Sequence, residues 1–249
     1  GSQVELNGSG EGQLFLNAGR SQFTLACLPT AEFPIMSSGS FVDSFSLNAS
    51  SLRSLIDRTK FAISTEETRY YLNGIFLHKA ENNSSEVLRA VSTDGHRLAR
   101  GEVPLPKGAE KLLGIIIPRK TVVELRKLID ETESIIEISF SETKMQFSFD
   151  NALLTSKLID GTFPDYERVI PIGNDKEFEV DSYLLASAVD RVSAISNEKS
   201  RAVKLSVSNA KLILSASSPE YGSAKEEIEI DYHGEGADIG FNASYLLDI

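Results

Sequence analysis

The chain has 249 residues, of which 41% are apolar and 24% are charged, and its formal net charge is −11. This composition is that of a folded protein and excludes a disordered chain, and the length allows one large domain or two ordinary ones. No segment reaches the roughly 20 consecutive apolar residues that a membrane-spanning helix needs. The single cysteine, Cys27, excludes an internal disulfide and predicts a reducing, cytoplasmic setting. It lies in an apolar run, where we expect it to be buried.

Charge is unevenly distributed along the chain. Residues 220–235 contain six acidic residues and one lysine, whereas residues 48–64 carry Arg53, Arg58 and Lys60 against Asp57. A compact DNA-binding protein usually has a basic footprint, so the net charge argues at first against nucleic acid. An acidic exterior with locally basic helices nevertheless suits a protein that holds DNA loosely. Ordinary solvated helix faces explain the same charges, so charge alone leaves the function open.

Two amphipathic helices are predicted in the first half of the chain. One follows a potential N-cap at Asn48, and its apolar face contains Leu52, Leu55, Ile56 and Thr59. The other follows Pro118, which suits a helix start, and its apolar face contains Val122, Leu125, Leu128 and Ile129. Alternating apolar and polar residues predict strands at 135–140, 145–149, 152–158, 202–208 and 211–217. We therefore predict an α+β fold whose antiparallel sheets are covered on one side by two helices per unit.

The sequence repeats itself at an interval of about 130 residues. The segment that starts at Phe45 resembles the one that starts at Phe178, and residues 23–34 resemble residues 153–164. A shorter echo, LRSLID at 52–57 and LRKLID at 125–130, divides each unit into two half-units with one helix each. We predict the end of a first domain at 1–42, a complete second domain at 43–172 and the start of a third at 173–249. A domain that stops within a helix suggests a piece of a longer three-domain protein.

Three motifs are candidates for function. VSTDGHRLAR at 91–100 contains a tight Asp-Gly turn, and the pair Asp94 and His96 suggests acid-base chemistry without the nucleophile or metal cluster that would complete it. The tyrosines of RYYLNG at 69–74 either contact a nucleic acid or pack in a strand. The segment LIDGTFPDYERVIP at 158–171 reads as a rigid linker. With Pro164, Val169 and Leu72 it could form a groove for a short peptide, or it could be a packed hinge.

Taken together, RYYLNG, TDGHRLA, IPRK, SKLIDGTFPDYERVIP, SNEK and GFNASYLLD resemble the bacterial beta sliding clamp family in order and spacing. The resemblance covers essentially the whole chain. It implies repeated DNA-clamp domains, each an antiparallel sheet layer with two helices that face the hole of a ring. It also implies a homodimer without catalytic residues, metal or cofactor. Such a ring tethers the replicative DNA polymerase to duplex DNA.

The resemblance also implies a cleft for partner peptides between the second and third domains. The matching positions are Leu72, Thr93, Gly95, His96, Arg97, Leu98, Pro164, Arg168, Val169, Asn242 and Tyr245. Ser200 stands where some relatives have an aromatic residue, so the rim of the cleft is expected to differ. The implied partners are the catalytic subunit of DNA polymerase III, the clamp loader, repair polymerases, ligase and mismatch-repair proteins.

Two further surfaces follow from the same resemblance. Tyr70, Tyr71, Arg119 and Lys120 are expected to face DNA, and the predicted helices extend this set to Arg53, Lys60 and Arg191. Phe23 and Leu25 match one side of the subunit interface, and Ala194 and Ile195 match the other. A two-fold dimer requires both patches on each chain. A protein-interaction scaffold without a DNA role and a hydrolase that uses Asp94 and His96 are the alternatives.

Overall fold

The computed structural model describes residues 3–9, 12–33, 41–197 and 201–249. Ser200, the residue expected to alter the rim of the cleft, lies outside the described residues. The chain divides into two compact units, Gly1–Ser40 and Phe41–Ile249. Among the described residues, no helix has the length and apolar character needed to cross a membrane.

The first unit contains one antiparallel sheet in the order β1-β2-β3. Its strands are β1 (Val4–Ser9), β2 (Gln13–Ala18) and β3 (Ser21–Ala26). Phe23 and Leu25 on β3 are 52% and 42% exposed. The prediction that Cys27 is buried is wrong, because its thiol is exposed. The described residues of this unit form a single three-stranded sheet layer, and all six residues of β3 are exposed.

The second unit contains twelve strands and four α-helices in its described residues. The strands are β4 (Asp43–Asn48), β5 (Gly74–Asn82), β6 (Ser85–Thr93), β7 (Leu98–Pro104), β8 (Ile115–Pro118), β9 (Ile135–Phe140), β10 (Lys144–Phe149), β11 (Ala152–Lys157), β12 (Ala202–Ser208), β13 (Lys211–Ser218), β14 (Gly222–Glu229) and β15 (Ala237–Asn242). The helices are α1 (Ala49–Asp57), α2 (Arg119–Leu128), α3 (Ser182–Ser193) and α4 (Ala243–Leu247).

Within the complete 130-residue repeat, the two half-units exchange edge strands. One sheet has the order β11-β10-β9-β4 and another has the order β7-β6-β5-β8, so each takes its edge strand from the other half. The third sheet, β14-β13-β12-β15, repeats the second of these patterns. All neighbouring strands are antiparallel. The predicted α+β class and the repeated architecture are confirmed.

Helices α1 and α2 cover one core with their apolar faces. Leu52, Leu55 and Ile56 are at most 4% exposed, as their spacing predicted. Thr59 is also buried, but it lies beyond the end of α1, and its hydroxyl donates to the Leu55 carbonyl at 2.6 Å. On α2 the predicted face is wrong for Leu128, which is 49% exposed. The helical period rotates Leu128 away from the direction shared by Val122 and Ile129, so it lies at the edge of the apolar stripe. Asn48 precedes α1, but its side chain makes no capping hydrogen bond.

Candidate peptide-binding site and nucleic-acid interface

The turn between β6 and β7 is held by hydrogen bonds within the motif TDGHR. Thr93 Oγ1 donates to the carbonyl of Arg97 at 2.7 Å and accepts from the Gly95 amide at 3.1 Å. Asp94 Oδ1 accepts from the amides of His96 and Arg97 at 2.9 and 3.0 Å. Gly95 has a φ of +88°, and a Cβ there would lie 2.5 Å from Arg69 Nη1. The positive φ favours glycine at this position of the turn.

Arg97 connects this turn to two distant parts of the unit. Its Nε donates to Asp94 Oδ2 at 3.1 Å, its Nη2 donates to the Phe61 carbonyl at 2.6 Å, and its Nη1 donates to Asp248 Oδ2 at 2.5 Å. The guanidinium carbon lies 5.3 Å from the ring centroid of Phe61 and 4.3 Å from that of Tyr245. Burial opposes the charge, but the two carboxylates raise the pKa of Arg97 overall. One side chain thus links the β6–β7 turn to α4.

Asn242 caps the N-terminus of α4, the helix that carries Tyr245. Its Oδ1 accepts from the Ser244 amide at 3.0 Å, which satisfies a free amide at the first turn of α4. The capped helix presents Tyr245 to Arg97. The expected peptide residues Arg97, Asn242 and Tyr245 are therefore brought together, whereas the sequence did not reveal Phe61 and Asp248 as their partners.

A small apolar cluster lies beside the turn. Its buried members are Leu72, Val91, Ile116, Phe163 and Tyr166, and Leu98 packs against them while remaining partly exposed. Leu72 is only 4% exposed, so it lies beneath the surface as part of the cluster against which Leu98 packs. Phe163 and Tyr166 come from the linker, which the structure resolves as a packed segment that contains a 3-10 helix at Tyr166–Val169.

The linker offers outward-facing groups at the same cluster. Pro164 and Arg168 are exposed, and Val169 is 69% exposed. Arg168 pairs with Asp165 at 2.7 Å, with both side chains largely in solvent. Leu98, Pro164 and Val169 can provide apolar contacts, and His96 and Arg168 can provide polar ones. This combination suits a short peptide with apolar anchors.

Arg69–Leu72 of the RYYLNG motif lie in a 3-10 helix, Glu67–Leu72, and Gly74 begins β5. Of the two alternatives for the tyrosines, packing in a strand is therefore wrong. Its two tyrosine rings meet edge to face, with centroids 5.8 Å apart. Tyr70 is 54% exposed and Tyr71 is partly buried. Gly74 ends the motif and begins β5. It allows β5 and β8 to lie close together, because a Cβ there would lie 2.2 Å from the Ile117 carbonyl oxygen. The segment can present aromatic rings to a ligand.

The expected DNA-facing cations fall into two groups. Arg119 and Lys120 are exposed at the first turn of α2, and neither forms an ion pair with any described residue. The other three are paired with carboxylates: Arg53 with Glu133, Lys60 with Asp57 and Arg191 with Glu226. Arg53 also donates to the carbonyls of Ile129 and Thr132 at 2.9 and 2.6 Å, beyond the end of α2. The structure thus gives Arg53 a capping contact that the sequence did not indicate.

The residues expected at the subunit interface are exposed or partly buried. Phe23 and Leu25 lie on β3 of the first unit. Ala194 follows the end of α3 and is exposed, whereas Ile195 is partly buried.

The geometry of Asp94 does not favour acid-base catalysis. Both of its carboxylate oxygens are used within the turn, by the amides of His96 and Arg97 and by the Arg97 guanidinium. Among the described residues, no group of three or more histidines, cysteines or carboxylates could hold a metal ion. The arrangement supports binding rather than hydrolysis.

Repeated antiparallel sheets with helices on one side, and a polar turn beside an apolar linker cluster, define a repeat-built α+β protein of the DNA-clamp class. Residues 46–165 match the family described as DNA polymerase III beta subunit, central domain, and residues 167–249 match its C-terminal domain. The chain belongs to this family of beta sliding clamps, which are non-catalytic processivity factors.

Individual relatives match the chain from end to end. It is 50% identical to the beta sliding clamp of Caulobacter vibrioides, over all of this chain and 67% of the relative, and 36% identical to that of Escherichia coli K12, over all of this chain and 66% of the relative. The crystal structure of the sliding clamp from Bartonella birtlesii bound to griselimycin superposes with a TM-score of 0.91 at 48% identity, covering all of this chain and 66% of the other. The chain therefore spans about two thirds of the length of these relatives.

Proposed function

We propose that the chain is part of a DNA sliding clamp, a ring that encircles duplex DNA in the cytoplasm and tethers the replicative DNA polymerase to it. The observation that carries the proposal is the match of the entire chain to beta sliding clamps. We assign residues 1–42 to the end of the first clamp domain, 43–172 to the second and 173–249 to the start of the third. The strand exchange within 43–172 supports the assignment, because its two sheets close on each other without a strand from outside.

The peptide site is proposed at the cluster of Leu72 and Leu98, next to the linker and the β6–β7 turn. Apolar anchors of a peptide would contact Leu98, Pro164 and Val169. Thr93, Gly95, His96, Arg97 and Arg168 would form polar contacts, and Asn242 and Tyr245 would close the far side. The catalytic subunit of the polymerase, the clamp loader and repair proteins would use this site in turn. Since related clamps bind griselimycin, we propose that this site binds it too.

DNA is proposed to lie against Tyr70, Tyr71, Arg119 and Lys120. Exposed aromatic rings and unpaired cations can contact the sugar-phosphate backbone without reading its sequence. The ion pairs of Arg53, Lys60 and Arg191 reduce the charge that these three side chains can offer. Weak contacts of this kind suit a ring, because a closed ring stays on circular DNA by topology and can slide.

Ring closure is proposed through two patches on each full-length chain. Phe23 and Leu25 on β3 would meet Ala194 and Ile195 of a second copy, and the reverse contact would form at the other end of a two-fold dimer. The match of the whole chain to beta sliding clamps supports this assignment.

A retention assay tests the proposed function directly. The full-length clamp is placed on nicked circular DNA by its ATP-driven loader, and the bound fraction is followed before and after a restriction enzyme cuts the circle. Retention on circles followed by rapid loss from the linear product is the expected result. Equal loss from circular and linear DNA would mean ordinary binding and would contradict the proposal.

A further inference from the structure

A buried arginine lies directly behind the proposed peptide site. Arg89 on β6 is 3% exposed, and its guanidinium bonds to three different elements. Nε donates to Glu102 Oε1 on β7 at 2.7 Å, and Nη2 donates to the Glu81 carbonyl on β5 at 3.2 Å. Nη1 donates to the linker, to Tyr166 Oη at 2.8 Å and to Glu167 Oε1 at 2.7 Å. A buried charge with this many partners holds its surroundings in one arrangement.

The hydrogen bonds continue from Tyr166 to a histidine. His78 Nδ1 lies 2.8 Å from the Lys79 carbonyl, which can only accept, so Nδ1 carries the proton. In the neutral ring, Nε2 is then an acceptor, and Tyr166 Oη donates to it at 3.0 Å. Tyr166 Oη thus accepts from Arg89 and donates to His78. We call Arg89, Tyr166 and His78 the linker relay.

Apolar contacts place the same segment of the linker. The ring of Phe163 stacks on Phe76 with centroids 4.8 Å apart, and Phe76 stacks on His78 at 4.6 Å. Phe163 and Tyr166 face inward, and Pro164, Arg168 and Val169 therefore face outward from the same short segment. The position of the outward groups depends on how the inward ones are held.

We propose that the linker relay positions the linker side of the peptide site, and that protonation of His78 weakens peptide binding. The inference rests on the proposed peptide site. Protonated His78 would carry a hydrogen on both ring nitrogens, so Tyr166 could no longer donate to Nε2. The Tyr166 oxygen would instead receive hydrogens from both Arg89 and His78, and the two cations would repel each other. The hydroxyl hydrogen of Tyr166 would lose its acceptor, which weakens the hold on the 3-10 helix that carries Arg168 and Val169.

The charged groups around His78 are consistent with a neutral ring at ordinary pH. Burial lowers the pKa of His78, the hydrogen bond to the Lys79 carbonyl opposes this, and Arg89 on β6 lowers it further. Glu167 on the linker and Glu102 on β7 raise it by smaller amounts. Burial also raises the pKa of the Tyr166 phenol, so the hydroxyl stays protonated and can donate.

The first test removes one hydroxyl. Tyr166→Phe keeps the ring in the apolar cluster and removes both hydrogen bonds of the relay. Griselimycin binding to the full-length clamp is measured by calorimetry, and we expect affinity to fall by about 3- to 10-fold. Tyr183→Phe is the matched control, because this ring is 84% exposed at the start of α3. Unchanged affinity in Tyr166→Phe would overturn the positioning role.

The second test measures how affinity depends on pH. If the relay had only a structural role, protonation of His78 would not change the affinity. Wild type and His78→Gln are titrated with griselimycin from about pH 8 down to about pH 5. We expect wild type to lose affinity as pH falls and His78→Gln to lose less. His96 and His233 are present in both chains, so the difference between the two profiles isolates His78. Identical profiles would overturn the effect of protonation.

One further variant separates this inference from the proposed peptide site. Leu98→Ala changes the surface of the site and leaves the linker relay intact. If wild type binds griselimycin and Leu98→Ala does not weaken it, the proposed site is wrong. If Leu98→Ala weakens binding and Tyr166→Phe does not, the site stands and only the positioning role fails.

Discussion

Leu98 offers a direct test of the peptide site at the scale of one residue. Its side chain packs on the cluster around Leu72 and still reaches the surface. Leu98→Ala should weaken binding of a polymerase-derived peptide by about 1–3 kcal/mol, because an apolar anchor loses its contact. Val169→Ala should act in the same direction. Calorimetric titration of the full-length chain measures the effect, and Leu153→Ala on β11, 65% exposed, is the control. An equal effect of all three substitutions would contradict the assignment.

His78 predicts a dependence of stability on pH. Burial lowers its pKa in the folded chain below the ordinary value near 6.5, so the unfolded chain binds the proton more readily. The free energy of unfolding should therefore fall as pH decreases from about 6.5 toward the lower folded pKa. Urea unfolding at several pH values measures this loss, and His78→Gln should show a smaller one. An equal loss in both chains would assign the effect to other groups.

At the scale of elements, Arg53 shows how a charge on one helix stabilises another. It extends from α1 to the carbonyls of Ile129 and Thr132, which follow α2. Carbonyls at a helix C-terminus lack partners within the helix and attract positive charge. Arg53→Met should lower the free energy of unfolding by about 1–3 kcal/mol in a urea titration. Arg58→Met, an exposed substitution at the end of α1, is the control and should change it little.

Helix faces and turns could be predicted from the sequence, whereas contacts between distant residues could not. Helix faces follow from the spacing of residues such as Leu52 and Leu55, and the β6–β7 turn follows from Asp94 and Gly95, because these signals are local. The contact of Arg97 with Asp248 joins residues 151 positions apart, and no local pattern contains it. The burial of Arg89 was also invisible, since an arginine in a strand usually faces solvent. Tertiary packing determines both.

At the scale of the whole molecule, the charge distribution resolves the conflict between an acidic chain and a DNA partner. Many carboxylates neutralise nearby cations, as Glu226 does for Arg191 and Asp57 does for Lys60 and Arg126. Arg119 and Lys120 are consecutive, exposed cations at the first turn of α2, and neither is in an ion pair with a described residue. A net negative charge therefore leaves a small basic surface where DNA is proposed to pass, and it discourages binding elsewhere.

Salt dependence tests that distribution. The affinity of the full-length clamp for a short linear duplex, measured without loader at several salt concentrations, should fall as salt rises. Arg119→Ala with Lys120→Ala should reduce the slope of log affinity against log salt by about 2, since each phosphate contact contributes about 1. The charge-matched control is Lys204→Ala with Lys211→Ala, because Asp238 and Glu227 already neutralise these lysines. An equal change of slope in both double variants would mean that net charge, rather than the start of α2, governs contact with DNA.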